Sequence, residues 1–531
     1  MLSVQQCCQR VPDYNLYIYQ PAGWFFCVHC LYAIMVCVMN MDNVFHISDC
    51  KKYNRCARLY RLDKENEPEK FRPFVRLDEE VTELAAKKLG ITDCFKGQRG
   101  DDASLAMDAL EQYDWLVKAR FQYDRLRVKV PFLHRTDNGW DLYFLFVGLY
   151  PHADDIQFYC DMVFVLEGCG IKLHDIRIIH LNANYVRQGE LDTDALFIIS
   201  DSLYNMSNNP TIPLKETIEK KKRDIRPLLK EMAECEDKPL PLPKRTQKCT
   251  GRMKCRYYED CFGKGEEIPD NSILTLNASR EKYNMEKDGL LFLKDADVER
   301  LEGNRQQYAE IMADKNGGLF VDKAALSSWL SRIRYPISFL DFEWERFAIP
   351  PYDGMKPYDV MPFEYSLHIL HEDGTVEHNV FLSVHDDRKE LAQSLISHIP
   401  SIGSVIAYNA FTAEKVRIDE LAEQFPEYKE KLEAINARME DLELLFVSGI
   451  VYDVRMAGQW SLKKVMAMMN DESYNDLAIH QGMEAVFEWR HLDHNEQEDR
   501  EEIIENLKKY CSMDTYAMLV VYNWLKKLIT E

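Results

Sequence analysis

The chain has 531 residues, of which 46% are hydrophobic and 29% are charged, and its formal net charge is −22. This length predicts about two or three domains, and the composition is typical of globular proteins. The negative charge excludes a protein that coats nucleic acid nonspecifically, although an enzyme can still handle nucleic acid through a local basic surface. The 15 cysteines do not indicate a small disulfide scaffold; in a reducing, cytoplasmic environment they indicate a metal site or buried thiols.

Residues 1–40 differ in composition from the rest of the chain. The stretch Tyr14–Met41 contains no Asp, Glu, Lys or Arg, and Trp24–Met39 is almost entirely apolar. By length this segment could span a bilayer, but Pro21 and Gly23 interrupt it and several cysteines crowd it. Three interpretations stay open: an upstream mis-assigned start, a membrane anchor and a buried N-terminal element. Unless the segment is an anchor, we expect no association with a membrane.

Residues 41–265 are predicted to form one α/β domain, because runs with strand character alternate with helical segments. Pro227 is expected to kink or break the last predicted helix. The segment Lys220–Lys254 is basic and offers local positive charge for a phosphate backbone. The predicted strands are Phe121–Leu133, Trp140–Leu149 and Ile176–Leu181, and the predicted helices are Val44–Leu62, Glu79–Leu89, Ile156–Glu167 and Leu214–Glu236.

Three cysteines follow a proline-rich stretch near the end of this domain. Cys249, Cys255 and Cys261 are each separated from the next by five residues, and Cys56 is a candidate fourth ligand. Clustered thiolates can hold one soft ion, such as zinc, or an iron–sulfur cluster, and four of them are needed. The spacing alone leaves both a metal site and scattered thiols open.

The cysteine trio and two other segments resemble the iron–sulfur PD-(D/E)XK nucleases related to RecB and to CRISPR adaptation nucleases. The two segments are Ser48–Tyr60, which contains Cys56, and His180–Asp192. They are most similar to the bacterial domain-of-unknown-function 2779 family, in which such a module is joined to an exonuclease-like domain. This resemblance implies that Cys56 and the trio hold a [4Fe–4S] cluster.

The residues that such a module uses for catalysis are replaced in this chain. In the family, an Asp and a Glu-x-Lys hold the metal and the water, but Pro131, Phe144 and Phe146 occupy those positions here. An aromatic ring neither ligates Mg²⁺ nor activates water. We therefore interpret the module as an inactive nuclease fold that is retained for its cluster and its nucleic-acid surface.

Residues 266–335 are predicted to be a polar, mostly helical connector, with Asp295–Ala313 as its clearest helix. Residues 336–531 follow the order strand, strand, strand, helix, strand, helix, which favours a ribonuclease-H-like mixed sheet with flanking helices. The whole chain is thus expected to be α/β, with a restriction-endonuclease-like domain first. The predicted C-terminal elements are a strand from Ile337, Met361–Leu370, Val376–Val384, Lys389–His398, Ser404–Tyr408, Ala413–Phe425 and Arg500–Thr530.

Asp341 and Glu343 are the most informative residues of this last domain. They lie in the predicted strand Phe339–Glu343 and face the same side, because successive side chains of a strand alternate. Two carboxylates on one face of a core strand repel each other unless a cation lies between them, and Mg²⁺ prefers such oxygen ligands. For these two residues alone, a solvated strand end is the alternative.

Three further residues fit the same chemistry. Glu414 begins a predicted helix just beyond a strand, and Tyr510 and Asp514 are four residues apart on one helical face. Hydrolysis of a phosphodiester by two metal ions needs about three or four carboxylates and a group that positions the attacking water.

Together these residues resemble the DEDDy superfamily of 3′–5′ exonucleases, over about residues 335–531. The resemblance implies that Asp341, Glu343 and Asp514 are ligands of two Mg²⁺ or Mn²⁺ ions. It also implies a catalytic role for Glu414, which stands where the superfamily usually has the shorter Asp.

The same resemblance implies roles around the ions. Tyr510 would orient the attacking water, Asn409 would brace a loop or a substrate phosphate, and Lys463 would contact a phosphate. The expected activity is hydrolysis of DNA or RNA from a 3′ end, with no small-molecule cofactor and with the inactive module as a binding platform. The alternative is a non-catalytic nucleic-acid-binding or scaffold protein.

Overall fold

The computed structural model describes residues 43–66, 75–250, 254–263, 268–469, 474, 477–492 and 497–530. The leader predicted for residues 1–40 lies outside the described residues. The described chain is mixed α/β, with a seven-stranded sheet, a five-stranded sheet and two two-stranded sheets. This confirms the predicted α/β fold class. None of the described helices combines the length and the apolar character that crossing a membrane requires.

The N-terminal sheet has the strand order β2-β3-β4-β5-β6-β7, and β1 pairs with β4. Helices cover both of its faces, and a separate hairpin of β8 and β9 follows it. The strands are β1 Phe45–His46, β2 Phe95–Lys96, β3 Trp115–Tyr123, β4 Leu126–Thr136, β5 Gly139–Phe146, β6 Leu173–Leu181, β7 Phe197–Ser200, β8 Ser202–Tyr204 and β9 Pro210–Pro213. The helices are Ile47–Arg55, Ala57–Asn66, Val75–Lys88, Ala103–Gln112, Ala153–Asp155, Ile156–Gly168, Thr193–Leu196, Leu214–Lys221, Arg226–Asp237, Gln247–Thr250 and Tyr258–Phe262.

Three predicted elements of this domain are divided in the structure. The predicted strand Phe121–Leu133 spans parts of two antiparallel strands, β3 and β4, that a two-residue turn joins. The predicted helix Val44–Leu62 is interrupted at Cys56, whose backbone is extended. The predicted helix Leu214–Glu236 breaks before Pro227, which lies in the first turn of the second helix. Proline is tolerated there because the first turn has no intrahelical N–H bond to lose.

The connector consists of short helical pieces. The predicted helix Asp295–Ala313 is wrong in its first half, since the α-helix begins only at Arg305. The side chain of Asn304 accepts a hydrogen bond from the backbone N–H of Gln307, and this N-cap sets the start of the helix. The pieces are Ile273–Thr275, Lys282–Lys287, Leu293–Asp295, Val298–Arg300, Arg305–Lys315 and Lys323–Leu330, with strand β10 Leu319–Val321 pairing with β16 Val451–Asp453.

The C-terminal sheet has the order β13-β12-β11-β14-β15. Its first three strands are antiparallel, and β14 and β15 run parallel to β11. It is the mixed sheet with flanking helices that the sequence predicts for a ribonuclease-H-like domain. The strands are β11 Ile337–Arg346, β12 Val360–Leu370, β13 Val376–Leu382, β14 Val405–Ala407 and β15 Met439–Asp441, and the helices are Arg388–His398, Glu414–Gln424, Pro426–Tyr428, Lys429–Asn436, Leu444–Val447, Val454–Met456, Leu462–Met466, Gly482–His491 and Gln497–Thr530.

Strand β11 separates two hydrophobic cores. Phe339 packs into the core on the side of the long helix Gln497–Thr530, and Leu340 packs into the core on the opposite side. Because side chains alternate along a strand, Asp341 and Glu343 share the face of Phe339. The two acids therefore point toward the long C-terminal helix.

Candidate active site and cysteine cavity

Three carboxylates converge beside β11. Ligand oxygens of Asp341, Glu343 and Asp514 all lie within 4.8 Å of one another. Glu343 and Asp514 are buried, and Asp341 is partly exposed. Among the described residues, no other group of three His, Cys, Asp or Glu side chains brings its ligand atoms this close together.

The backbone explains this convergence. Asp341 and Glu343 come from one face of β11, and Asp514 comes from the long helix that crosses β11 and β12 on that face. The pairing of β11 with β12 shifts register between Glu343 and Trp344. Such irregularities re-aim side chains and are frequent beside active sites. Strand and helix thus bring acids that are far apart in sequence to one point.

Burial raises the pKa values of all three acids, and repulsion from neighbouring carboxylates raises those of Asp341 and Glu343 further. Burial, with the charge of Asp514 next in importance, raises the pKa of Glu343 to about 8. Burial raises the pKa of Asp514 to about 6. The pKa of Asp341 is also raised, first by burial and then by the neighbouring carboxylates. Ionising all three carboxyl groups is costly unless a cation neutralises them. Their oxygen atoms suit hard ions such as Mg²⁺ or Mn²⁺.

Glu414 lies near the three acids but is not part of the group whose ligand oxygens lie within 4.8 Å of one another. It is the first residue of the helix Glu414–Gln424 and is buried, and burial raises its pKa to about 8. Its Oε2 atom has no hydrogen-bond partner among the described residues. Its charge contributes to the raised pKa of Asp341. Glu414 is therefore coupled electrostatically to the site.

An ammonium group and two phenols flank the acids. The Nζ atom of Lys463 lies 3.0 Å from the hydroxyl oxygen of Tyr510. It also lies 4.6 Å and 4.7 Å from the ring centroids of Tyr510 and Tyr474, and it donates to the carbonyl oxygen of His480. Tyr474 donates a hydrogen bond of 2.6 Å to Oδ1 of Asp514. Because an ammonium only donates, the oxygen of Tyr510 accepts from Lys463 and its own proton points elsewhere.

Asn409 braces the loop that precedes Glu414. Its backbone is left-handed, with φ of 61°, and its N–H donates to Oδ1 of Asp441 at 3.0 Å. Its side-chain oxygen accepts a hydrogen bond of 2.5 Å from the hydroxyl of Thr412. Asn409 is exposed, so the structure gives it a place in the loop and access to solvent.

Three residues of the site were missed in the sequence. Tyr474 contacts Asp514, and the thiol of Cys511 lies 3.8 Å from Oδ2 of Asp341. Glu364 on β12 is directly opposite Glu343. Glu364 is the single acid of a mostly apolar strand, which is a signal in the sequence, but only the register of the two strands shows what it faces. We find no sequence pattern that indicates Tyr474.

Residues 338–461 match the family model described as a domain of unknown function, DUF2779. The match supports the family that the sequence motifs resemble, and its description states no function. The matched range lies in the C-terminal domain; it contains Asp341, Glu343 and Glu414 and ends before Tyr510 and Asp514. No curated protein and no solved structure matches the chain.

Outside the DUF2779 match, the four predicted ligand cysteines line one cavity of about 530 Å³. Cys56 lies at the break between the first two helices, and Cys249, Cys255 and Cys261 come from the end of the domain. The guanidinium Nε of Arg58 lies 3.2 Å from the sulfur of Cys261. The structure thus brings together two segments that are far apart in the sequence.

The spacing of these sulfurs bears on what they can hold. Around a single tetrahedral zinc ion, with a Zn–S distance of roughly 2.3 Å, the sulfurs are about 3.8 Å apart. Among the described residues, no three of the cysteine sulfurs lie within 4.8 Å of one another. The four thiols therefore line the cavity without the close spacing that a single tetrahedral ion requires.

The three positions that correspond to catalytic residues in the nucleases that this domain resembles have side chains without ligand atoms. Pro131 lies on β4, and Phe144 and Phe146 lie on β5. Phe144 is 1% exposed, and its ring packs edge-on against Tyr159 with 4.6 Å between the centroids. The side chains at these three positions therefore offer hydrocarbon where a metal ion would need oxygen.

The basic segment Lys220–Lys254 is partly neutralised by acids beside it. Among the described residues of this segment, six basic side chains form ion pairs, which lowers the positive charge that remains for a phosphate backbone. The pairs are Lys220–Glu216, Lys222–Glu219, Arg226–Asp224, Lys238–Glu234, Arg245–Glu286 and Lys254–Glu259.

The two domains meet at the loop between β11 and β12. The guanidinium of Arg187, from the first domain, donates to the carbonyl oxygens of Pro350 at 2.9 Å and of Pro351 at 2.7 Å. The hydroxyl of Tyr358 donates to the carbonyl oxygen of Val147 at 2.6 Å. Arg187 belongs to the segment that resembles the nuclease family. That segment therefore supports the loop joining the two strands that carry Glu343 and Glu364.

Proposed function

We propose that this protein is a metal-dependent 3′–5′ exonuclease that hydrolyses phosphodiester bonds of DNA or RNA. The observation that carries the proposal is the convergence of Asp341, Glu343 and Asp514 beside Tyr510. Burial raises the pKa values of all three carboxylates, and neighbouring carboxylates raise those of Asp341 and Glu343 further, so their ionised forms are costly unless they bind cations. The direction of hydrolysis comes from the resemblance to the DEDDy superfamily.

The acids suit two Mg²⁺ or Mn²⁺ ions held between a rigid strand and a rigid helix. Bound ions of this kind activate a water molecule and stabilise the charge on the leaving oxygen. Asp341, Glu343 and Asp514 would be their ligands. Glu414 would act from the edge of the site, where its longer side chain can reach an ion or a bound water.

Tyr510 would position the attacking water. Burial raises its pKa, so its phenol stays protonated at neutral pH and can donate a hydrogen bond. Its oxygen already accepts from Lys463, which leaves the O–H proton for another acceptor. The charge of Lys463 also lowers the pKa values of Glu343 and Asp514 against the effect of burial. Lys463 would thus fix the orientation of the Tyr510 hydroxyl and favour the ionised forms of Glu343 and Asp514.

The N-terminal domain would serve as an inactive binding platform held together by a [4Fe–4S] cluster. Cys56, Cys249, Cys255 and Cys261 line one cavity and fit such a cluster. The cluster would tie the first helices to the end of the domain and close a long loop, which stabilises the fold. Its thiolates supply the soft ligands that iron–sulfur chemistry requires.

The test is a nuclease assay on DNA and RNA labelled at the 3′ or the 5′ end, with Mg²⁺ or Mn²⁺. We expect immediate release of the 3′ label as mononucleotides and gradual shortening of the 5′-labelled strand. Chelation and the Asp341→Ala variant should abolish both. Metal-independent binding of nucleic acid without hydrolysis would instead support the non-catalytic alternative.

A further inference from the structure

Glu364 on β12 lies directly opposite Glu343 on β11 in the antiparallel register. Opposite residues of such a pair project to the same face, with their Cβ atoms about 5 Å apart. Glu364 is 0% exposed and lies under the long C-terminal helix, on the face that carries the three acids. The structure therefore holds a further carboxyl group beside the site.

Neither carboxylate oxygen of Glu364 has a hydrogen-bond partner among the described residues. The large majority of buried polar side chains have such a partner, and like charges directly opposite in a sheet are destabilising. Glu310 offers a contrast within the same chain. It is equally buried, but it accepts hydrogen bonds of 2.9 Å from the backbone N–H of Asn277 and 2.7 Å from its side chain.

A buried acid that faces another acid and has no donor lowers the stability of the fold. Replacing an unpaired buried acid usually leaves the stability of a protein unchanged or increases it. The presence of Glu364 beside a cation site therefore favours a role in binding the cation. The charge of Lys508 acts to lower the pKa of Glu364, but no hydrogen bond joins the two side chains, so the carboxylate still has room for a cation in direct contact. A divalent ion held over this face of the sheet would neutralise both glutamates.

We propose that Glu364 is a further ligand of the divalent-ion site, contacting from β12 the ion that Glu343 contacts from β11. The inference rests on the proposed function for the presence of ions. It extends the ligand set beyond Asp341, Glu343 and Asp514. The alternative role, a structural acid that never contacts an ion, is an outcome of the test below.

The test measures Mn²⁺ binding without nucleic acid, by titration calorimetry, for the full chain and three variants. Glu364→Gln should weaken the binding of at least one ion by about tenfold or more. Glu310→Gln, the matched control, should bind Mn²⁺ as the unaltered protein does. Asp341→Asn should lose most of the binding.

Thermal melting in the absence of metal gives a second readout that needs no activity. Glu364→Gln should raise the melting temperature, because it removes an unpaired acid, and it should reduce the further rise that Mn²⁺ produces. Glu310→Gln should lower the melting temperature, because it disturbs satisfied hydrogen bonds. A Glu364→Gln protein that is less stable than the unaltered protein and binds Mn²⁺ normally would mark Glu364 as structural and overturn the inference.

The outcomes separate this inference from the proposed function. If Glu364→Gln binds Mn²⁺ normally while Asp341→Asn does not, the inference fails and the nuclease proposal stands. If Glu364→Gln weakens Mn²⁺ binding but the unaltered protein degrades no nucleic acid, the inference stands and the nuclease proposal fails. Absence of Mn²⁺ binding by the unaltered protein overturns both.

Discussion

The ammonium group of Lys463 lies 3.0 Å from the phenolic oxygen of Tyr510 and over the face of its ring. If Lys463 acts by holding Tyr510, the two residues form one unit and their effects on the rate should not add. We expect Lys463→Met and Tyr510→Phe each to lower kcat by about a hundredfold, within the range for a positioned proton-transfer group. The double variant should be no slower than the slower single variant. Additive losses, or an effect of Lys463→Met on KM alone, would indicate that Lys463 contacts a substrate phosphate instead.

Asp341→Asn should abolish hydrolysis while nucleic acid still binds. Stabilisation of charge by bound metal is worth several kcal/mol, and about 1.4 kcal/mol is a factor of ten in rate, so we expect a loss of about a thousandfold or more. The measurement pairs initial rates with a binding assay in Ca²⁺ buffer. Glu423→Gln, at an exposed position of the helix Glu414–Gln424, is the control and should keep full activity. Retained hydrolysis in Asp341→Asn would remove this acid from the mechanism.

Tyr474→Phe should weaken ion binding without removing a ligand. Its hydroxyl donates a 2.6 Å hydrogen bond to Oδ1 of Asp514, which fixes the orientation of that carboxylate. Loss of an outer partner of this kind typically costs about tenfold in metal affinity. Titration with Mn²⁺ measures the effect, and excess Mn²⁺ should restore most of the rate. An unchanged affinity would show that the long helix alone orients Asp514.

Stability without metal should fall as the pH rises. The pKa values of Glu343 and Glu414 in the folded protein are raised to about 8. At intermediate pH the folded state thus binds more protons than the unfolded state, and the free energy of unfolding decreases from about pH 5 to pH 8. Melting temperatures in EDTA should decline across this range, and Mg²⁺ should offset most of the decline because it replaces the protons. A flat profile in EDTA would mean that the acids ionise without penalty.

Anaerobically purified protein should be brown and contain about four iron atoms and four sulfides per chain. Cys255→Ser should lose most of the iron and lower the melting temperature, because the cavity loses a ligand and the cluster no longer closes the loop. Cys235→Ser is the control, since Cys235 is buried in the same domain and does not line the cavity. A colourless protein with one bound zinc would contradict the cluster.

Local patterns in the sequence were enough to predict the strand that carries Asp341 and Glu343 and the helix that carries Asp514. Alternation along β11 and the four-residue spacing of Tyr510 and Asp514 fix which side chains share a face. The order of elements was enough to predict the mixed sheet. These features depend on residues close together in the chain.

The remaining features depend on how separate segments meet. The register between β11 and β12 places Glu364 opposite Glu343, and a hydrogen bond across the core joins Tyr474 to Asp514. The cavity that Cys56 shares with the distant trio is likewise a property of the fold. The division of Phe121–Leu133 was missed because a two-residue turn between two apolar runs leaves the strand pattern nearly unbroken.

The hydrogen bonds from Arg187 to the carbonyl oxygens of Pro350 and Pro351 let the first domain hold a loop of the second in place. This support requires no catalytic residue in the first domain. Proline backbones cannot donate, so a loop of this kind depends on a donor from outside to fix its path. The first domain can in this way stabilise the second through backbone contacts alone. Separating the two domains would remove these hydrogen bonds and so alter the path of the loop between β11 and β12, although every residue of the C-terminal domain remained in place.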